Sequence, residues 1–421
     1  MRREEVKVEV ADLQVGMYVS RLDRPWIETP FPLQGFFIRS FRDVQNLLPY
    51  CQHVYVDVIR GKPPVPREDP LAPRSSERGN GSASVPVRPL KIRRDVYPDT
   101  QPMRRELRQA QRAHRRLVRL LSRWGDTPPG DEQIPQIQKA VEEVVESVVR
   151  NPDALLWLAR IQRHSDALFG ASARSAVWAL VFGRHLGLSP QALEALSLGV
   201  LLADVGMTAL PGSVRHSNII IPDAELRSHV ALGLERLEGV EGIDSVALSV
   251  VAAHHERFDG SGYPKGLRGD EISYLAKVAG IAMYFDELLH PVRGRGITSS
   301  QAMEQLYRER DRLFQEQLVS EFIQAIGIYP VGSLVELNTG EIGMVLEQDR
   351  EHRLQPTILL LFDAGGGRRR RLTTVNLHEQ RNDETPVQIQ RAVEPGTLDI
   401  DLQAVHDAWF GRRWFRRLAA A

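Results

Sequence analysis

The sequence predicts a mainly α protein, with a large helical domain between a small N-terminal α/β module and a small C-terminal β appendage. Three observations carry that expectation. Apolar residues recur at helical spacing, almost without interruption, over residues 151–330. Period-two alternation is confined to the flanks, at Val6-Lys7-Val8-Glu9-Val10 and Val54-Tyr55-Val56-Asp57-Val58 before that stretch and from Val331 onward after it. The 421 residues, 42% hydrophobic and 26% charged with mean hydropathy −0.28, have the composition of an ordinary globular chain and the length for two to four domains.

Composition also removes several function classes. Lys+Arg and Asp+Glu both number 54, so the chain lacks the broad positive field on which coat-type nucleic-acid binders rely, and only local basic patches remain. The single cysteine, Cys51, excludes an intrachain disulfide framework and a Cys-based zinc site, fits a reducing compartment, and reads as a small buried hydrophobe. No apolar run reaches the roughly 18 residues needed to span a bilayer. Met1-Arg2-Arg3-Glu4-Glu5 leads into alternating residues rather than the apolar core of a signal peptide, and a cytoplasmic location is expected.

Taken in order, residues 1–62 read as the α/β module, with strands at both ends, a loop-rich stretch at 23–32 and the apolar Gly35-Phe36-Phe37-Ile38 between. Residues 63–100 turn to Pro, Arg, Ser and Gly, too poor in large apolar groups to offset the entropy of ordering, and read as a linker. Residues 101–150 hold two helices. The first, at 104–124, carries eight arginines and one acid, Glu106, with Leu107, Leu117, Leu120 and Leu121 on an apolar stripe; RNA or anionic lipid is its functional reading, and a solvated face or a contact with another, acidic helix is the commoner one, so nucleic acid is not the expected partner. The second runs 135–150 after a Pro/Gly/Asp turn. The helical domain follows at 151–330, long enough to bury its own core. Strands at 332–337, 343–346 and 357–362, the first two joined by an Asn-Thr-Gly turn, mark the β appendage over 331–395. Residues 396–421 end in an amphipathic basic helix at 402–418.

The densest chemical signal is His254-His255-Glu256-Arg257-Phe258-Asp259-Gly260-Ser261-Gly262-Tyr263-Pro264. Adjacent histidines project about 100° apart on a helix, which suits two neighbouring metal ions better than chelation of one. The Asp-Gly-Ser-Gly-Tyr-Pro that follows combines glycine freedom with a rigid stop, as a loop approaching a ligand or partner requires.

These eleven residues resemble, almost one for one, the signature of the HD-GYP family of bacterial phosphodiesterases. The resemblance spans about 150–330. It implies an all-helical HD-type domain that hydrolyses cyclic di-GMP with two or three metal ions, often iron or manganese. Residues 1–60, with Gly16-Met17-Tyr18-Val19 and Trp26-Ile27-Glu28-Thr29-Pro30-Phe31, resemble the small domain that commonly precedes such modules. Tyr329-Pro330-Val331-Gly332-Ser333-Leu334-Val335-Glu336-Leu337 resembles the β extension that often follows them.

Carried over residue by residue, the resemblance implies a degenerate metal set. The family's first histidine falls on Ala171. In Leu201-Leu202-Ala203-Asp204-Val205-Gly206-Met207 the histidine of the family's motif is Ala203, its bridging aspartate is Asp204, and its phosphate-facing lysine is Met207. His229, His254 and His255 are retained. The aspartate of the last motif falls on Met283, and only the second acid, Asp286, is kept. Ala171, Ala203 and Met283 correspond to terminal ligands of one ion and offer a hard divalent cation nothing. The other half keeps Asp204, His229, His254 and His255, donors for one Fe, Mn or Zn ion. The residues leave a metal-free cluster open too, in which an imidazolium pairs with Asp204.

One ion activates water but does not clamp both attacking and leaving oxygens. The lysine lost at Met207 removes a cation of a kind typically worth about 2.7–4 kcal/mol in the transition state. The expectation is therefore a catalytically weak or silent cyclic di-GMP sensor or scaffold. The alternative is an active phosphodiesterase with a reduced site, recovered if Glu256, Asp286 or His164 resupplies donors. The resemblance further implies a partner loop of Asp259, Gly260, Gly262, Tyr263, Pro264 and Lys265, addressed to GGDEF or other signalling proteins, and phosphate contacts from Arg293 and Arg295. His164, His185, His216 and His290 lack ligand spacing and read as surface or capping groups. Arg368-Arg369-Arg370-Arg371 reads as an exposed hairpin tip.

Overall fold

The computed structural model describes residues 5–24, 36–38, 43–58 apart from 45, 46 and 49, then 62, 92, 96–122, 133–161, 167–210, 223–291, 295–349, 354–382, and 386–411 apart from 395 and 399. The chain divides into two compact units, Met1–Val85 and Pro86–Ala421.

In the first unit, β1 (Glu5–Glu9), β2 (Tyr18–Leu22), β3 (Phe36–Phe37) and β4 (His53–Asp57) form an antiparallel sheet in the order β1-β4-β2-β3. Val8, Val19, Val54 and Val56 are buried while Lys7 and Arg21 are exposed, so the period-two pattern becomes one packed and one wet face. Cys51 is buried, and burial together with Asp23 pushes its thiol up to about 11. The Trp26 to Phe31 stretch and nearly all of 63–95 lie outside the described residues.

The second unit begins by tying down the end of the expected linker. Arg184 donates to the carbonyl of Tyr97 and to Asp99, both at 2.6 Å, and the Tyr97 hydroxyl donates to the Leu188 carbonyl at 2.7 Å. Helix α1 (Met103–Ser122) then packs on α2 (Ile134–Arg150). Glu106, fully buried, accepts from Ser147 Oγ at 2.7 Å and from Arg150 Nε at 2.8 Å, which answers a charge that burial would otherwise make costly.

The helical body continues through α3 (Pro152–Ile161), α4 (Ala167–His185), α5 (Pro190–Leu202), α6 (Asp223–Arg227), α7 (His229–Leu237), α8 (Ser245–Ala253), α9 (Tyr274–Leu289), α10 (Ser299–Arg308) and α11 (Glu316–Ile326). Polar caps set where helices start: Ser189 before Pro190, Asp244 accepting from Ala247 N–H at 2.6 Å, Ser273, and Thr298 with Gln301 in a capping box. Trp178, Phe182, Phe285 and Phe322 from α4, α9 and α11 form an edge-to-face core with centroids 5.2 Å apart in successive pairs. Pro190–Ala209, 20 residues, is long and apolar enough by composition to cross a membrane, and 72% of that window is buried inside the protein, as in a core helix.

Two further sequence readings change here. The β appendage has five strands, β5 (Leu334–Leu337), β6 (Ile342–Glu347), β7 (Thr357–Phe362), β8 (Arg368–Asn376) and β9 (Ile389–Ala392), in the antiparallel order β8-β7-β6-β5-β9. The four arginines therefore open the edge strand β8 and the turn lies before them, at Asp363 to Gly367, because Asp363 Oδ1 accepts the amides of Gly365 and Gly367. His185 and His290 are paired rather than superficial: His185 meets Glu321 at 2.9 Å, and His290 joins Asp286 at 3.2 Å to Arg160 at 3.3 Å. A last helix, α12 (Leu402–Phe410), seats buried His406 against Trp157; residues 412–421, His164 and His216 lie outside the described residues.

Candidate metal centre

Four elements deliver the retained donors to one place. Asp204 lies two residues past the end of the buried helix α5 and starts a 3₁₀ turn, Val205–Ala209; His229 opens α7; His254 caps the C-terminus of α8, with His255 beside it. The turn and α7 touch backbone to backbone through Gly206, where a Cβ would stand 1.9 Å from the His229 carbonyl oxygen.

One ligand atom from each of Asp204, His229, His254 and His255 lies within 4.8 Å of all the others. His229 Nε2 is 3.4 Å and His254 Nε2 3.8 Å from Asp204 Oδ1, and the two Nε2 atoms are 3.3 Å apart. Both histidines are buried. Their other nitrogens face backbone carbonyls, His229 Nδ1 that of Leu226 at 2.6 Å and His254 Nδ1 that of Val251 at 2.9 Å. A carbonyl only accepts, so each Nδ1 carries a proton, and Nε2 is the nitrogen that each ring turns toward Asp204.

Where imidazole lone pairs and a carboxylate oxygen converge at such distances, a cation between them relieves their repulsion. A proton is disfavoured on His254, because burial, aided by His229 and opposed by Asp204, pushes its imidazolium down to about 4. His255 is held well below the usual histidine range by burial and by its two histidine neighbours. Ligand bonds of about 2.0–2.2 Å in a tetrahedral shell place donors about 3.3–3.6 Å apart, which the separations here nearly match. The donor set fits one divalent ion, and the two Nδ1 bonds orient the rings as second partners of ligating histidines do.

The positions that the family resemblance assigns to a second ion offer no comparable set among the described residues. Ala171, Ala203 and Met283 bear no hard donor. Asp286 is engaged elsewhere: Arg174 holds it through Nε at 3.2 Å and Nη2 at 3.1 Å, Trp178 Nε1 donates at 3.1 Å, and His290 Nδ1 lies at 3.2 Å. Burial alone would raise this carboxyl, but His290 and Arg174 outweigh it and hold it below the usual range. Glu256 is also committed, accepting the amides of Lys265 at 2.7 Å and Leu267 at 2.9 Å. Neither acid resupplies a donor.

Glu256 instead shapes the loop. Asp259 turns it by accepting from Ser261 N–H and Oγ, and Gly262 admits the backbone of Glu256 and Arg257, a Cβ there standing 2.3 Å from Arg257 N. Tyr263 stacks on His255 with centroids 4.5 Å apart, and Arg227 lies over the Tyr263 ring at 4.9 Å, while Pro264 and Lys265 face solvent. Burial first, then Asp204, raises the Tyr263 hydroxyl, which stays a neutral donor. Arg257, which motif reading passed over, donates from Nη1 to the carbonyls of His254 and Glu256. Met207 sits on the 3₁₀ turn with its amide bonded to the Asp204 carbonyl. Arg295 lies against Gly396, in the segment after β9, and Arg293 is outside the described residues.

Comparison with known proteins gives three family matches: a domain of unknown function (DUF3391) over residues 5–124, the HD domain over 159–318, and a KOW domain associated with HD domain over 334–399. The chain is 28% identical to the cyclic di-GMP phosphodiesterase PA4108 of Pseudomonas aeruginosa, over 85% of each chain. It is 31% identical to the cyclic di-GMP phosphodiesterase response regulator RpfG of Xanthomonas campestris pv. campestris, over 44% of this chain and 51% of that one. Among solved structures, Bd1817, a HDG"Y"P protein from Bdellovibrio bacteriovorus, matches with a TM-score of 0.45 at 15% identity, covering 76% of this chain and 98% of the other.

Proposed function

The chain belongs to the HD-GYP family of HD-domain proteins, and from that premise we propose that it is a cyclic di-GMP signalling protein whose centre holds one divalent ion and hydrolyses the dinucleotide weakly or not at all. The observation that carries this reading is the convergence of His229 Nε2, His254 Nε2 and Asp204 Oδ1 on one point, while Ala171, Ala203 and Met283 stand at the sequence positions that the family resemblance assigns to a second ion. When bound, such an ion supplies Lewis acidity and an activated water. The chain's own residues orient it: the Leu226 and Val251 carbonyls fix the two rings, and Arg257 holds the His254 carbonyl. In this reading Asp204, His229, His254 and His255 are the metal ligands, and the loop of Asp259, Gly260, Gly262, Tyr263, Pro264 and Lys265 recruits a GGDEF or other signalling protein.

A second reading, an active phosphodiesterase with a reduced site, is favoured by one finding: the relatives similar to this chain carry that activity in their names. The test is turnover of cyclic di-GMP by the purified full chain with excess Mn(II) or anaerobic Fe(II), alongside His254→Ala and a metal count per chain. One ion per chain and no turnover is the expected result. Turnover that disappears in His254→Ala selects the second reading, and wild-type protein without stoichiometric metal overturns both.

A further inference from the structure

One histidine of the centre is held differently from the other two. His229 and His254 each turn Nδ1 to a backbone carbonyl, that of Leu226 at 2.6 Å and that of Val251 at 2.9 Å, and such bonds set the angle of a ligating ring. Among the described residues, the contacts of the His255 ring are all with other rings. Two of them are its co-ligands, His229 with centroids 5.1 Å apart and edge-on, and His254 at 4.2 Å and tilted. The third is Tyr263, stacked nearly parallel at 4.5 Å and 19°. Helix α8 ends at Ala253, so His255 stands beyond the last helical turn and the helix does not dictate where its side chain points.

Tyr263 grips this residue at two points. Its amide donates to the His255 carbonyl at 3.2 Å while its ring covers the imidazole. Gly262 makes the double contact possible, since a Cβ there would stand 2.5 Å from the His255 carbonyl oxygen and 2.3 Å from the Arg257 amide nitrogen. Beyond the turn, Glu256 fastens the chain by accepting the amides of Lys265 and Leu267. Arg227, with Cζ 4.9 Å from the Tyr263 centroid, adds a cation over the same ring. The loop is thus built to hold one aromatic face against one imidazole, and Pro264 and Lys265 are left facing solvent.

We propose that Tyr263 is a positioning residue of the metal centre: its ring holds His255 in place as a ligand, as the two carbonyls hold His229 and His254. This role presupposes the one-ion centre proposed above. It also ties that ion to the loop, because whatever displaces Tyr263 displaces a ligand. The test is the dissociation constant of Zn(II), measured on the full chain by competition with a chromophoric chelator. Tyr263→Leu is expected to weaken binding about 10–100-fold, the usual cost of losing a group that orients a ligand. Tyr263→Phe, which keeps the ring and drops the hydroxyl, retains wild-type affinity. In a His255→Ala background Tyr263→Leu is expected to cost nothing further, whereas a merely structural role weakens both backgrounds alike. Unchanged affinity in Tyr263→Leu, or equal losses in the two backgrounds, overturns the proposal and leaves the one-ion centre standing. Wild-type protein that takes up no stoichiometric Zn(II) overturns the centre and this role with it. Should Tyr263→Leu fail to fold, amide exchange of the wild-type chain decides. By the reciprocity of linked equilibria Zn(II) then slows exchange at the Tyr263 amide, and a rate that the ion leaves unchanged overturns the proposal.

Discussion

Gly206 and His229 meet with no room for a side chain between them. A Cβ on Gly206 would lie 1.9 Å from the His229 carbonyl oxygen and 2.5 Å from the Gly233 amide nitrogen, both backbone atoms of α7. Gly206→Ala must push α7 away from the turn that carries Asp204. The expected outcome is a destabilisation of about 1–3 kcal/mol, as for overpacking generally, together with loss of the metal. Thermal denaturation and metal content measured on the same sample check this; a variant that retains full metal occupancy contradicts the shared placement of Asp204 and His229.

Glu256 holds the loop by both carboxylate oxygens. In Glu256→Gln, one of the two amides, Lys265 or Leu267, faces an NH₂ group and loses its acceptor in a part-buried position. Loss of about 1–3 kcal/mol is expected, with faster amide exchange across 260–267. Exchange confined to wild-type rates would mean that Asp259 and the backbone bridge to Arg268 suffice to fix the loop.

The helical core was legible in the sequence because its period-3.6 pattern is long, and the contiguous His254-His255 pair because it needs no fold to be seen. Asp204 and His229 were legible only through family resemblance, being 50 and 25 residues from His254. The fates of Asp286 and Glu256 were not legible. Asp286 meets Arg174 and Trp178 from a helix more than 100 residues earlier, and Glu256 binds backbone amides, which leave no trace in residue identity. The strand at 368–376 escaped notice because four consecutive arginines hide the alternation that marks a strand.

His406 provides a pH-dependent clasp. Trp157 Nε1 donates to its Nδ1 at 3.1 Å, an arrangement open only to the neutral ring. Burial, aided by Arg115 and opposed by Asp407, lowers the pKa of His406 below its ordinary value. The unfolded chain therefore binds the proton more readily, so this stability is complete above about pH 6.5 and is lost as pH falls below it. Urea unfolding followed by tryptophan fluorescence should show a midpoint that drops between pH 7.5 and 5. In His406→Gln, which offers Trp157 an acceptor that does not titrate, that drop should shrink; an unchanged profile would assign it to other groups.

If the centre is silent because one half lacks donors, then restoring them should restore chemistry. Ala171→His with Met283→Asp returns two ligands at half-buried positions, and Met207→Lys returns the cation for phosphoryl charge. Ala203→His comes last, since Ala203 is fully buried and a larger side chain there costs about 1–3 kcal/mol in overpacking. Metal count is expected to rise from one to two ions per chain in the double variant. Cyclic di-GMP turnover is expected to appear, or to rise at least a hundredfold, once Met207→Lys is added, consistent with the ~2.7 kcal/mol lower bound for such a contact. A second ion without turnover would place the defect in substrate binding instead of metal loading. Turnover by wild-type protein equal to that of the rebuilt chain would show that Asp204, His229, His254 and His255 suffice for hydrolysis, and the signalling role would then include destruction of the messenger.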